Sequence, residues 1–339
     1  ERGLSSMIDR LHRLAAVWGP AGREHKVAQA LQEIIAPYVD EVRSDPFGNL
    51  LAAKRGTPGG ARVMVSAHMD TIGAIALNVS DAGLIHVGPV GGFKVQHAIG
   101  QRVVWGSGVV GVLQHQPVEG PKDLDFGKLW CDIGATSREE ALENVRLGDM
   151  CVMVGELQQM GDYLTGPGLG NRAGCAVLLQ VAEHLVHRQH EVVFAFTCQG
   201  EVGPRGSGAA AYGINPDLAL IVDMAPAGDI PKGPKVEVKL GRGPALKLKD
   251  GNYMAHAGLA DQVRRVASDF AISLQTEISV QPGGLTDAQV IGMAGQGVPT
   301  AAIDVPVRYR GTGAEMISTA DLHGAADLLL KLLSGPLGL

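Results

Sequence analysis

The chain has 339 residues, 45% hydrophobic and 19% charged, enough apolar content for a sizeable core. A net charge of −6 leaves no basic footprint for a nucleic-acid partner, and no apolar run reaches the roughly 18 residues of a membrane span. Cys131, Cys151, Cys175 and Cys198 lack CxxC spacing, which argues against a cysteine metal knot and for reduced thiols in a cytoplasmic protein.

Two helices are expected first. Leu4 to Trp18 has apolar residues at helical spacing and is broken by Pro20-Ala21-Gly22, and Glu24 to Tyr38 repeats the pattern. Arg62 to Ala67 reads as a buried strand of a parallel sheet. From about Thr71 to Thr165 short apolar pieces alternate with Gly, Pro and Asp, the spacing of a small β-rich unit such as a barrel. Helix–strand alternation then returns. Helices are expected over 173–187, 259–270 and 320–333, and strands over 192–197, 218–222 and 300–303. The fold expected is an α/β sandwich interrupted by a β insert, with residues 1–70 and 166–339 forming one domain and 71–165 the other.

Three of the buried strands run into polar residues able to bind a metal: His68-Met69-Asp70, Gln199-Gly200-Glu201, and Asp223. Sites in open α/β sheets lie at the carboxyl ends of the strands. His68 and Asp70 are two apart, so an extended backbone puts them on one face, where a carboxylate can fix the tautomer of a ligating imidazole. A single histidine after a strand is more often structural, and Glu201 or Asp223 alone reads equally as a cap or loop carboxylate. Only their joint occurrence suggests a metal site.

The strings VSAHMDTIGAIA, GNRAGCAVLLQ, FTCQGEVGPRGS, LIVDMAPAGD, KLGRGP, GGLTDA, GVPTAAIDVPVRY and ISTADL occur in the order of one family. The chain resembles the tetrahedral or glutamyl aminopeptidases, some of whose relatives carry the name endoglucanase. The resemblance implies a mixed-sheet α/β sandwich of the zinc-peptidase type, an inserted small β-barrel for oligomerisation, and a dimer-based homo-oligomer that can reach a dodecamer. It implies peptides with free N-termini as substrates and two metal ions. By the same resemblance His68 and Asp223 serve the first ion, Asp70 supports His68, and Glu201 serves the second ion. Asp287 falls on a structural or substrate-side aspartate, or is a turn residue.

Three positions depart from that pattern. Gly170 stands where the family has the aspartate that bridges the ions. Gly200 stands where it has the glutamate base. Gly311 stands where it has the histidine that completes the second site. Two dications about 3.5 Å apart repel by roughly 19 kcal/mol at an effective dielectric of about 20, so the bridging carboxylate matters. A catalytic zinc normally has three protein ligands, and here at most His68 and Asp223 remain for one ion and Glu201 for the other. The expectation is an aminopeptidase scaffold with no intact catalytic residue, inactive or severely impaired, holding no cofactor or one weakly bound zinc or cobalt ion. Two alternatives stay open: an active single-metal enzyme with unusual ligands, and a non-catalytic peptide-binding or assembly subunit. His97 in the insert and His256 in a loop are possible replacement ligands, and Cys198 a thiol that reads as buried and inert.

Overall fold

The computed structural model describes residues 2–279 and 286–337, with side chains from residue 7 onward. Two helices, α1 (Arg2–Ala15) and α2 (His25–Ile35), open the chain. Met7, Leu11 and Leu14 bury one face of α1, the spacing of an amphipathic helix. Strands β1 (Glu41–Ser44), β2 (Leu50–Lys54) and β3 (Arg62–His68) follow.

The insert comes next. It comprises β4 (Gly73–Val79), β5 (Ile85–Val90), the short helix α3 (Val95–Ala98), β6 (Arg102–Trp105), β7 (Val110–His115), β8 (Leu129–Asp132), α4 (Arg138–Asn144) and β9 (Met150–Met153). The six strands close into an antiparallel barrel in the order β4-β5-β8-β7-β6-β9. Closure leaves no unpaired sheet edge. Alternate side chains point inward, and Val87, Val103, Trp105, Leu113, Cys131 and Cys151 form a core separate from that of the main sheet.

The hairpin β10 (Gln158–Met160) and β11 (Tyr163–Gly166) leads back to the main sheet. Then come α5 (Leu169–His184), β12 (Glu191–Thr197), α6 (Arg205–Ile214), β13 (Leu218–Ile221), β14 (Met224–Pro226), β15 (Ala245–Asp250), β16 (Tyr253–Met254), α7 (Ala257–Asp269), β17 (Gln275–Ile278), α8 (Asp287–Gly292), β18 (Thr300–Arg308), β19 (Glu315–Ser318) and α9 (Thr319–Ser334). The main sheet runs β1-β2-β12-β3-β13-β18-β19-β11-β10. Its centre, β12, β3, β13 and β18, is parallel, and antiparallel strands flank it on both sides. Helices α1, α5 and α9 pack on one face, and α6 and α8 on the other. The α/β sandwich with an inserted barrel is as expected.

Several bounds differ from the sequence reading. Helix α5 begins at Leu169, not Ala173, so Gly170 lies on its first turn. Strand β18 continues past Ile303 to Arg308, through Asp304 and Pro306, because β14, β15 and β19 all pair with it. Hairpin β10–β11, of which all but Gly166 falls inside 71–165, joins the main sheet through β11, which pairs with β19. The first three residues of GGLTDA lie outside the described residues.

Two of the sequence strings meet in the fold. In KLGRGP, Gly241 and Gly243 take positive φ of 73° and 92°, a region that favours glycine. Their N–H groups donate to the two carboxylate oxygens of Asp321, from ISTADL, at 2.7 and 2.6 Å. Burial outweighs these bonds and raises the Asp321 pKa to about 6 from 3.8. A raised folded-state value means that the folded chain holds the proton more tightly than the unfolded chain. This contribution is therefore complete below about pH 4 and is lost as the pH rises through about 6. Urea titrations at the two ends of that window should show wild type losing on the order of 1–3 kcal/mol more than Asp321→Asn. Equal pH slopes in the two proteins would contradict the shift.

Candidate active site

The site lies where the parallel strands end. Thr197 and His68 pair directly, so β12 and β3 stop level with each other, and β13 ends beside them. His68 closes β3, and its Nδ1 is 3.0 Å from Asp70 Oδ1. The same carboxylate accepts the N–H of Gly200 at 2.7 Å and of Glu201 at 2.8 Å. Asp70 thus holds both the imidazole and the loop that follows β12. One residue earlier, Gln199 takes a positive φ of 59° and donates its N–H to buried Glu24 at 2.9 Å. The peptide chain at 199–201 is fixed by two carboxylates.

Asp223 follows β13. Its Oδ1 lies 3.9 Å from His68 Nε2, and its N–H points to Asp304 Oδ1 at 3.3 Å. Burial disfavours the charged form of both groups. For His68 the carboxylates of Asp70, Asp223 and Glu201 overcome it and raise the imidazole to about 10. For Asp223 the charges of His68, Arg310 and Lys247 overcome it and keep the carboxyl low. Glu201 is pushed up by burial, against the pull of Arg310 and His68.

A cavity of about 160 Å³ opens here, lined among others by His68, Gly200, Asp223, Asp287, Lys247 and Arg310. Asp287 opens α8. It is buried, and its Oδ2 accepts the hydroxyls of Ser66 on β3 at 3.0 Å and Thr197 on β12 at 2.9 Å. It therefore faces the cavity from the structural side, and is no turn residue. Behind the cavity Lys247 sits among carboxylates: Asp304 at 2.8 Å, Asp250 at 3.4 Å and Glu277 at 3.8 Å.

The three glycines belong to this edge. Gly170 donates its N–H to Glu315 Oε2 at 2.7 Å, and Gly311 donates to Glu315 Oε1 at 2.8 Å. One buried carboxylate ties the first turn of α5 to the loop after β18. A Cβ at Gly170 would lie 3.5 Å from Glu315 Oε2, in ordinary contact. A Cβ at Gly200 would lie 2.3 Å from His68 Cγ, so the imidazole occupies the space of a side chain there. Gly311 has a φ of 76°, where an L side chain is strained.

Metal binding can be tested on this geometry. Both ring nitrogens of His68 face carboxylates, and the two glycine ligand positions offer only backbone. Among the described residues no group of three or more His, Cys, Asp or Glu side chains converges on a point that could hold an ion. The residues present do not fit an ion pair. His97 reaches the site: its Nδ1 is 3.3 Å from the Gly311 carbonyl. His256 does not. It caps α7, and its N–H donates to Thr300 at the opposite end of β18. Cys198 is buried, and burial first, then Glu24, pushes its thiol well up, so it is no thiolate nucleophile.

A family model described as M42 glutamyl aminopeptidase matches residues 48–328. The chain belongs to the M42 glutamyl aminopeptidase family. A protein of Acetivibrio thermocellus, named by inference as an aminopeptidase, is 38% identical over 96% of this chain and 98% of its own length. An aminopeptidase structure from the archaeon Desulfurococcus kamchatkensis superposes with a TM-score of 0.93 at 32% identity, covering 98% of this chain and 95% of that one. The TET1 peptidase of Pyrococcus horikoshii, described as assembling into a tetrahedron or a large octahedral shell, superposes at 0.85 with 30% identity, covering 96% and 99%. Within this M42 chain the residues that pattern reading missed are Glu315, Lys247, Asp304 and Arg310. Lys247 of β15 and Arg310, in the loop after β18, line the cavity, while Asp304 of β18 holds Lys247 and Glu315 of β19 holds the Gly170 and Gly311 N–H groups; of these strands only the start of β18 was expected.

Proposed function

We propose that this M42 chain keeps the aminopeptidase scaffold but has lost, wholly or nearly, the release of N-terminal residues from peptides. The observation that carries this reading is at Gly200. The proton carrier of the family has no side chain here, and the His68 ring fills its place, with its Cγ 2.3 Å from where a Cβ would be. A positioned acid–base group contributes about 10²–10⁴-fold to such a reaction. Gly170 and Gly311 compound the loss by removing the bridging carboxylate and one imidazole.

Short peptides with free N-termini are the ligands that the scaffold and its carboxylate-lined cavity fit. Hydrolysis of aminoacyl chromogenic substrates should stay near background with zinc or cobalt added. Robust turnover that scales with metal would overturn the reading. A second reading, a single-ion enzyme with unusual ligands, has one observation in its favour, His97 beside the Gly311 carbonyl. It requires His97→Ala to lose both a stoichiometrically bound ion and activity.

Assembly with copies of itself, dimer-based and up to a dodecamer, is supported by the described assemblies of the Pyrococcus horikoshii relative. Light scattering behind gel filtration tests it, and a monomer at all concentrations would end it. No described helix is long and apolar enough to cross a membrane, and all four cysteines are free and buried. Both facts accord with the cytoplasmic placement proposed here.

A further inference from the structure

The cavity at the strand ends has a second wall. It is made by Asp250 at the end of β15, Glu277 on β17 and Asp287 at the start of α8. Each of these residues is less than a tenth exposed. Each nevertheless keeps a buried oxygen that, among the described residues, receives no hydrogen bond: Asp250 Oδ1, Glu277 Oε2 and Asp287 Oδ1. Ser66 and Thr197 both donate to Asp287 Oδ2, which fixes that carboxylate and leaves Oδ1 without a donor. Asp250 and Glu277 approach the Lys247 ammonium only to 3.4 and 3.8 Å, because it is turned to Asp304 at 2.8 Å.

Buried polar atoms are nearly always paired, and an acceptor left alone costs free energy. Three such oxygens in the lining of one cavity call for a guest that brings donors. Carboxylates make their strongest hydrogen bonds to cations. The positive groups already in the lining are engaged elsewhere or turned outward. Lys247 answers to Asp304, His68 lies between Asp70 and Asp223, and Arg310 is exposed. The cavity measures about 160 Å³. A cavity of about 150 Å³ takes a guest the size of benzene, so one side chain fits here.

We propose that this wall recognises a basic side chain, so that the peptides this chain binds carry lysine or arginine as their first residue, with the cationic tip held by Asp250, Glu277 and Asp287. This rests on the reading that peptides with free N-termini are the ligands. Asp250 and Glu277 determine the preference. Neither belongs to the ion-binding positions, so the preference is independent of the three glycines.

The test is isothermal titration calorimetry of the full chain, in a chelator, with lysyl-alanine, norleucyl-alanine and glutamyl-alanine. Norleucine keeps the lysine stem and lacks its ammonium. Lysyl-alanine is expected to bind at least about tenfold more tightly than norleucyl-alanine, the worth of one hydrogen bond to a charged group, and glutamyl-alanine not measurably. Asp250→Asn and Glu277→Gln should each shrink that ratio about threefold or more and leave norleucyl-alanine unchanged. The wild-type ratio needs no variant to fold. Equal affinity for the lysyl and norleucyl peptides, tighter binding of the glutamyl peptide, or no binding of any of the three would overturn the proposal. Cleavage of these peptides once zinc chloride is added would instead defeat the proposed loss of activity. The ratio of kcat/KM for the lysyl and norleucyl peptides would then carry the test, with the same preference expected.

Discussion

The triple reversion Gly170→Asp, Gly200→Glu and Gly311→His is expected to raise the release of N-terminal residues at least about 10²-fold over the parent and to confer binding of two zinc or cobalt ions. The three groups act as one unit, so each single reversion should stay near background. The structure adds conditions that the sequence did not show. A Cβ at position 170 has room, 3.5 Å from Glu315 Oε2, but it would add a second carboxylate beside that of Glu315, and like charges side by side call for a cation between them. A glutamate at 200 requires the His68 ring to swing away, since Cγ lies 2.3 Å from the new Cβ. A histidine at 311 carries the strain of a φ of 76°, about 1–2 kcal/mol. The metal-free triple variant is therefore expected to be less stable than the parent and to recover on loading. Steady-state hydrolysis with metal analysis of the same samples is the measurement. Two bound ions without turnover would mean that something beyond the three glycines disables the site.

Lys247→Met is expected to be the most destabilising single change near the cavity. The ammonium lies 2.8 Å from Asp304, which has no exposed surface, with Asp250 at 3.4 Å and Glu277 at 3.8 Å. Burial works against the ammonium, but these carboxylates prevail and hold its pKa above the ordinary lysine value. They also exert a mutual cost: Glu277 is raised to about 8, by burial first and then by Asp304 and Asp250 against the pull of Lys247. Removing one partner of a buried charge cluster leaves the others uncompensated, which typically costs about 3–5 kcal/mol. The shift of the urea midpoint reads this directly. Adding Asp304→Asn to Lys247→Met should recover part of the loss, because the orphaned charge goes too. A loss below about 1 kcal/mol for Lys247→Met would show that the network is solvated.

What the sequence by itself determined were the parts whose physics is local. Apolar runs ending in His68, before Glu201 and at Asp223 marked buried strands that deliver polar groups to one edge. Matching strings assigned the family, and three glycines stood out because the residues around them fit. The tertiary structure decided what depends on distant partners. Helix α5 takes in Gly170 because Glu315, 145 residues away, accepts its N–H, although glycine and asparagine at positions 170 and 171 do not suggest a helix. Asp304 and Pro306 read as the end of a strand, yet β18 runs on because its neighbours complete its pairing. Glu315, Lys247 and Asp304 carry no short-range signal, since an acidic or basic residue on a strand or loop is ordinarily solvated, yet all three are buried. Only the folding of β15, β18 and β19 against the central strands takes them out of water and into one another's field, and that makes them part of the site.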